Sequence, residues 1–595
     1  MPVLRVEVDE HQIVLHTEGA LCTTTQELVE SDAFARVVEL YVAHLEAHNP
    51  EALDGLGLGA ERRGAQLLEL LRLLANNPLD RIARASAVQA DLPAHRGRLH
   101  EFVEGLYDFW RSFDRFLVSR SELTTDHGES RPYRGFNETV ESLGRLVRAL
   151  YRDVAENITG THPRVYRQVA AGCEVGVVAE LRRTAIPSRY RELLGGIPFV
   201  RQVLMYPPLL LDPPTNTRAG RFIEVDENPL DGLRLEREQW LCYPALVGPL
   251  TIFVYFHQRF AGLGLSLANL FEMASDDEIA AGPDAVYLYG APPEPLARFG
   301  DLPTVFHDDA EGRLLVAAVP LEDRFGYFGY LKKMVLTLHN LAVMKRGRMP
   351  FHGAFTHVVL TDGSAANVLL LGDTATGKSE SLEALRLAGE DRIRELRVIA
   401  DDMGSLEVGE DGAVRAYGTE IGAFVRLDDL QQGYAFGQMD RAIIMSPNRV
   451  NARVVLPVTT LEDVLHGYPV DILLYANNHE PVDEEHAIVE ESGTVDEALR
   501  VFREGAALSK GTTTSTGLTR CYFANIFGPA QRVEAHDELA RRTFAAAWTA
   551  GVCVGQLRTR LGIPGYESEG PREAALALLD LIARRASHAK GADPS

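Results

Sequence analysis

Gly372-Asp373-Thr374-Ala375-Thr376-Gly377-Lys378-Ser379 is a complete G-x-x-x-x-G-K-[ST] stretch. Its flanks decide how it reads. The apolar run Ala366–Leu371 comes before it, and a helical pattern begins near Glu380. A strand that delivers such a loop to a helix N-terminus turns backbone N–H groups inward, which is what a phosphate chain requires. Gly372 and Gly377 permit the tight turn, Lys378 has the reach for β/γ-phosphates, and the Ser379 hydroxyl suits Mg²⁺. Asp373, Thr374, Ala375 and Thr376 complete the cradle. An ordinary glycine-containing β–α turn is the bland alternative. The flanks favour a nucleotide-phosphate site.

Outward from the loop, the whole chain is consistent with a multidomain globular protein. Its 595 residues exceed one core, and the length corresponds to roughly three or four domain-sized units. Hydrophobic residues make up 46% and charged residues 24%, as in ordinary folded proteins. A net charge of −24 argues against general binding of nucleic acids or anionic membranes. The five cysteines are scattered, without C-x-x-C or zinc spacing, and read as reduced thiols of a cytoplasmic protein. No apolar run has the length of a membrane span, and the N-terminus lacks a signal-peptide pattern.

Residues 1–20 alternate and suggest a small hairpin. Helical periodicity then dominates to about Leu194, in Phe34–His48, Arg62–Ala75, Arg98–Val118, Asn137–Val154 and Val165–Arg183. The aromatic stripe Phe102, Tyr107, Phe109, Trp110, Phe113 and Phe116 fits a helix-bundle core better than a ligand box. A Pro-rich stretch from Tyr206 to Pro214 marks a boundary. Beyond it come strand-like runs, a helix over Gly329–Met344, and strands and turns from Pro350 to about Val533. Two helices, Ala535–Leu561 and Pro571–Ser587, close the chain.

Arg397–Asp402 is a β-rich run ending in the paired carboxylates Asp401 and Asp402. Beside a phosphate loop, such a strand end commonly holds the nucleotide's Mg²⁺ through water. On its own it is also what a solvated turn looks like. The set His352-Gly353, Gly372–Glu380 and Ala400-Asp401-Asp402 resembles two related families. One is HPr kinase/phosphorylase, with its HG, GDSGxGKSE and ADD pattern. The other is phosphoenolpyruvate carboxykinase, with GLSGTGKT and GDD. Gly326-Tyr327-Phe328-Gly329-Tyr330-Leu331-Lys332-Lys333 is similar to the carboxykinase YAGEMKKG. Glu420–Arg426 resembles EGGCYAK, and Asn451–Pro457 resembles NTRVSYP. These matches run in one order over roughly a third of the chain.

The resemblance implies an α/β fold: a phosphoenolpyruvate-carboxykinase-like P-loop nucleotide-binding domain of mixed sheets, preceded by an α-helical N-terminal region. It divides the chain into a mainly helical region (1–200), a carboxykinase-like N-terminal α/β domain (201–345) and a P-loop catalytic domain with C-terminal helices (346–589). It implies ATP or GTP with Mg²⁺ and Mn²⁺ as cofactors. Lys378, Arg453, Asp401 and Tyr327 would be catalytic, and Arg426 would lie on the nucleotide side. Ser379, Asp402, His352 and Lys333 would hold metal, and Arg218, Tyr327 and Arg453 the substrate. A metal-binding Lys333 must be neutral, which requires burial or cationic neighbours such as Lys332, Arg426 and Arg453.

The expected reaction is phosphoryl transfer to the enolate of oxaloacetate or a related oxo-acid. Glu380, which follows the loop serine as in the HPr kinases, keeps open a kinase acting on a hydroxyl of a protein or small molecule. A nucleotide-sensing regulator, with residues 1–200 as the protein-binding part, is the non-enzymatic alternative. The expected partners are a nucleotide and a small anion, not nucleic acid or membrane. Lys510–Gly517, hydroxyl-rich, stands where the carboxykinase adenine segment would be expected.

Overall fold

The computed structural model describes residues 5–9, 11–17, 22–56, 58, 62–85, 90–121, 132–373, 376, 384–385, 391–427, 439–484, 486–510 and 516–591. The chain packs as two compact units. One comprises Met1–Arg182, Gly196–Leu209 and Gln239–Leu241, and the other Arg183–Gly195, Leu210–Glu238 and Cys242–Ser595. Both mix helices with mixed sheets.

The first unit begins with strands and is not purely helical, which corrects the expectation of an α-helical N-terminal region. Arg5–Val8 and Gln12–Thr17 pair antiparallel, as the alternation in residues 1–20 suggests. Asp114–Ser121 and Val175–Glu180 then extend the sheet in parallel, and Phe199–Met205 adds to it antiparallel. Val175–Glu180 lies inside a stretch whose apolar spacing mimics a helix. Five of its six residues are buried, so the run reads as the continuous apolar signal of a strand covered on both faces. Residues 165–174 form no helix.

The helices Asp32–His48, Arg63–Leu74 and Pro132–Thr159 cover their expected positions, whereas the one expected over Arg98–Val118 ends at Arg111 and the strand Asp114–Ser121 follows, carrying Phe116. Ser31 caps the first of them, its hydroxyl accepting from Phe34 N at 3.1 Å. Apolar faces of these helices and the sheet form one core, with Leu15, Leu71, Phe102, Leu117 and Leu143 at its centre.

In the second unit, one sheet runs in the order Leu250–His257, Ala285–Ala291, Leu314–Pro320, Val305–Asp309, Ile223–Glu224. A second is built on the long strand Met349–Leu360. That strand pairs antiparallel with Ala365–Leu371, Ile393–Ala400 and Met403–Val408. Ile472–Asn477 and Cys553–Arg558 continue it in parallel beyond Ala365–Leu371.

Cys553–Arg558 falls inside the single helix expected over Ala535–Leu561. The helix Val533–Thr549 instead stops at Gly551, whose φ of +74° is a left-handed turn that releases the chain into a strand. Val552 N donates to Ala547 O at 3.0 Å, which closes that helix end. The final helix, Glu569–Gly591, packs Leu578, Leu579 and Ile582 into the core beneath Val368 and Leu370. No helix among the described residues is long and apolar enough to cross a membrane.

Candidate functional site

Register on Met349–Leu360 assembles the site. His352 lies opposite Met403, and Gly353 N donates to Asp402 O at 3.0 Å. On the other flank, Gly372 N donates to His352 O at 3.1 Å. One strand therefore joins the entry of the phosphate loop to the end of the strand carrying Asp401 and Asp402. That strand, Ile393–Ala400, stops just before the two acids, as its sequence suggests.

The loop itself is described at Gly372, Asp373 and Thr376; Thr374, Ala375, Gly377, Lys378, Ser379 and the expected following helix near Glu380 lie outside the described residues. Thr376 is fully buried, and its hydroxyl donates to Asp373 O at 2.8 Å. A Cβ on Gly372 would sit 2.2 Å from that hydroxyl, so glycine is required there for space. From the end of Cys553–Arg558, the buried Thr559 hydroxyl donates to Thr376 O at 2.6 Å. Thr559 thus ties the loop to the sheet.

The helix Phe328–Lys345 is buried along nearly all its length and presents Lys332 and Lys333 from its first turns. Lys332 is 1% exposed and pairs with Asp402 at 2.8 Å and with Glu420, also 1% exposed, at 3.0 Å. Burial alone would lower the Lys332 ammonium, but the Asp402 and Glu420 carboxylates outweigh it and raise it above its ordinary value. Burial pushes Glu420 up to about 7 against the pull of Lys332. Thr419 supports Glu420 with a 2.8 Å hydrogen bond.

Lys333 is half-buried and meets the ring of Phe527, 4.6 Å from its centre. Burial, with the nearby Arg218 charge, lowers it to about 8 against the pull of the Asp402 and Asp373 carboxylates. The carboxykinase resemblance asks for a lysine that readily becomes a neutral amine, and Lys333 has that character.

His352 bonds on both sides. Nδ1 faces Ala524 O and Nε2 faces Asp402 Oδ1 at 3.0 Å. A carbonyl only accepts, so Nδ1 carries the proton and the Nε2 lone pair is turned toward a carboxylate oxygen. A proton or a cation between those two atoms would satisfy both. Ala524 reaches its position through a left-handed run, with φ of 43° at Phe523, 58° at Ala524 and 59° at Asn525. None of the three is glycine, so the run costs about 1–2 kcal/mol per residue. Backbone strain of this kind concentrates at functional sites.

A second wall carries Tyr327 and three arginines, Arg218, Arg426 and Arg453. Tyr327, nearly buried, caps the helix N-terminus and packs against Phe424 at 6.0 Å between ring centres. Burial raises its hydroxyl, while Arg453, Arg218 and Lys332 all pull the other way, which places the three cations around one phenol. Arg453 covers Phe424 at 5.5 Å and lies directly opposite Arg426 across the antiparallel strands Gly422–Arg426 and Arg453–Pro457. Like charges facing each other across strands are unfavourable unless an anion lies between them. Arg218 is held by the contacts of Ala219 with the Tyr330 hydroxyl at 2.8 and 3.2 Å. Burial lowers its guanidinium below the ordinary value.

A scan against protein-family models finds no match to this chain, and a comparison with curated proteins finds none. The geometry alone carries the functional reading.

The structure brings together Lys333, His352, Asp402, Tyr327, Arg218, Arg453 and Asp373, which the sequence expectations assigned to one site. Arg426 stands opposite Arg453, and Asp401 is half-buried beside Asp402. Among the described residues, no cluster of three or more His, Cys, Asp and Glu side chains is arranged to hold a metal. The expected set has only two such residues and takes its third donor from lysine. Its chemistry fits a divalent cation: the Nε2 lone pair, the facing carboxylate and a readily neutralised amine.

Sequence reasoning missed Ala524, Phe527 and Thr559. A backbone carbonyl and an isolated threonine carry no motif, and nothing in Phe523-Ala524-Asn525 signals positive φ.

Proposed function

We propose that this protein is a nucleotide- and divalent-metal-dependent phosphotransferase of the carboxykinase kind, acting on oxaloacetate or a related oxo-acid. The observation that carries this reading is a group of cations around Tyr327, together with His352 and Asp402 at the entry to Gly372–Ser379. Lys332, Arg218 and Arg453 surround Tyr327, Lys333 lies near Arg218, and His352 and Asp402 adjoin the loop entry.

The residues divide the work. Arg218 and Tyr327 orient a carboxylate substrate, and the Arg453–Arg426 pair receives the phosphoryl group that passes between donor and acceptor. Lys332 holds Asp402 in an ion pair, and Glu420 holds Lys332 in place. A divalent cation held by His352, Asp402 and Lys333 would supply positive charge against the enolate oxygen. In the reaction the carboxylate leaves as CO₂ and its C–C electron pair becomes the enolate. The enolate oxygen then bonds the terminal phosphorus as the bond to the nucleoside diphosphate breaks. A fixed cluster of cations favours this because its charge needs no reorganisation as the oxygen becomes negative.

The test is bicarbonate exchange into oxaloacetate, measured with ATP or GTP and Mn²⁺. Lys378→Ala should abolish it, and Lys333→Ala with His352→Ala should do the same while leaving nucleotide binding in place. Exchange at the wild-type rate in the double variant would refute the carboxykinase reading. Transfer of label from ATP to a protein or metabolite hydroxyl, without exchange, would select the kinase reading.

A further inference from the structure

A second feature of the molecule is unrelated to phosphate chemistry. In the first unit a cavity of about 110 Å³ lies among the helices Thr25–Glu30, Asp32–His48, Arg63–Leu74, Arg96–Arg111 and Pro132–Thr159. Phe34, Leu71, Leu106, Trp110, Val147 and Leu150 line it. Protein interiors are packed as densely as organic crystals, with few voids larger than a water molecule. An opening of this size inside an otherwise continuous core calls for an occupant.

The polar groups at its border identify the chemistry. Three of them are turned into the protein. The Ser31 hydroxyl donates to Leu28 O at 2.7 Å and accepts from Phe34 N. Trp110 Nε1 donates to Ala171 O at 2.7 Å, and the Tyr151 hydroxyl donates to Glu104 at 2.6 Å. A water inside needs two to four polar partners and would find none of these available. Cavities of about 150 Å³ lined by similar residues stay dry and bind benzene or xenon. Phe34, Tyr107, Trp110 and Tyr151 are only half-buried, and Tyr107 stacks on Tyr151 at 4.2 Å. They form an aromatic rim through which an apolar group can enter.

We propose that this cavity is a binding site for a small hydrocarbon group, either a free apolar molecule or the short apolar tail of an amphiphile. Recognition is by shape and exclusion of water alone. Any polar head would remain outside the aromatic rim.

The full-length chain is titrated with benzene and, separately, with 1-octanol, and thermal unfolding is followed. At saturation, benzene is expected to raise the unfolding temperature by about 2–4 °C. A larger shift with octanol would assign the site to an amphiphile tail, and a shift with benzene alone to a free hydrocarbon. Val147→Phe, which fills the cavity, should abolish the shift. Xenon-129 NMR on the unaltered chain provides a readout that does not depend on the variant folding: a bound xenon resonance should appear and be displaced by benzene. Absence of that resonance, no shift with either probe, or the same shift in Val147→Phe would each overturn the proposal.

Discussion

Two buried cations, one in each unit, show how differently this chain uses charge. Arg115 of the first unit is 1% exposed, yet its guanidinium is enclosed by acceptors. It donates to the carbonyls of Gly172 at 2.8 Å and of Arg111 and Phe113 at 2.7 Å, and to Glu174 at 2.7 Å. Lys332 of the second unit is equally buried, but its two carboxylates share it with other tasks. Asp402 also faces His352, and Glu420 is pushed up to about 7 by burial. Lys333, next in sequence, meets a ring face and lies near another cation. A cation whose donors are met by backbone carbonyls and one carboxylate staples a fold. A crowd of cations with contested partners is suited to receiving an anion.

Removing each cation tests that distinction most strongly. Lys332→Met leaves Asp402 and Glu420 without their shared counter-charge, a loss of about 3–5 kcal/mol of stability. Urea titration should show it, and turnover should vanish even in the fraction that remains folded. Adding Glu420→Gln to Lys332→Met should recover part of the stability but no activity. Arg115→Met should also lose stability but leave KM and kcat per folded molecule unchanged. A changed KM in Arg115→Met would break the contrast.

Acid provides the next largest effect. Burial lowers His339 and His536 of the second unit to about 4. Both stay neutral in the fold, whereas in the unfolded chain they protonate below their ordinary value of 6.5. Between about pH 6.5 and 4 the unfolded chain therefore binds more protons, and stability falls as pH drops through that window. Above pH 6.5 their contribution is fully present. Each accounts for at most about 3 kcal/mol. Hydrogen exchange at pH 4.5 should show protection lost around these residues, and His339→Leu should flatten the pH dependence. An unchanged slope in that variant would remove His339 from the account.

Thr559 gives the finest discrimination. Thr559→Val removes one hydrogen bond to the phosphate loop, about 1 kcal/mol or several-fold in nucleotide affinity. Fluorescent-nucleotide binding should weaken by that amount with little change in fluorescence in the first unit, and Thr559→Ser should restore it. If Thr559→Ser binds as poorly as Thr559→Val, shape rather than the hydroxyl holds the loop.

Much of this organisation was legible beforehand, for reasons visible in particular residues. Ser31 before an apolar face, the run Ala366–Leu371 and the helix carrying Lys332 and Lys333 depend on local signals: a cap, a continuous apolar strand and a repeat near 3.6 residues. Val175–Glu180 and Cys553–Arg558 were misread because short apolar runs fit a buried strand and a buried helix equally well. Only the sheet neighbours Asp114–Ser121 and Ile472–Asn477 decide between them.

The sequence by itself determined the G-x-x-x-x-G-K-[ST] stretch at Gly372–Ser379, the paired acids that follow it, and the order of Lys333 and His352 before it. Their motifs are local or collinear, so chain order preserves them. Tertiary structure alone decided that Lys332 is the one paired with Asp402, that Ala524 O orients His352, that Thr559 anchors Thr376, and that a dry cavity opens in the first unit. Each of these depends on which side chains meet across the fold, and burial then sets their charge and hydrogen-bonding partners.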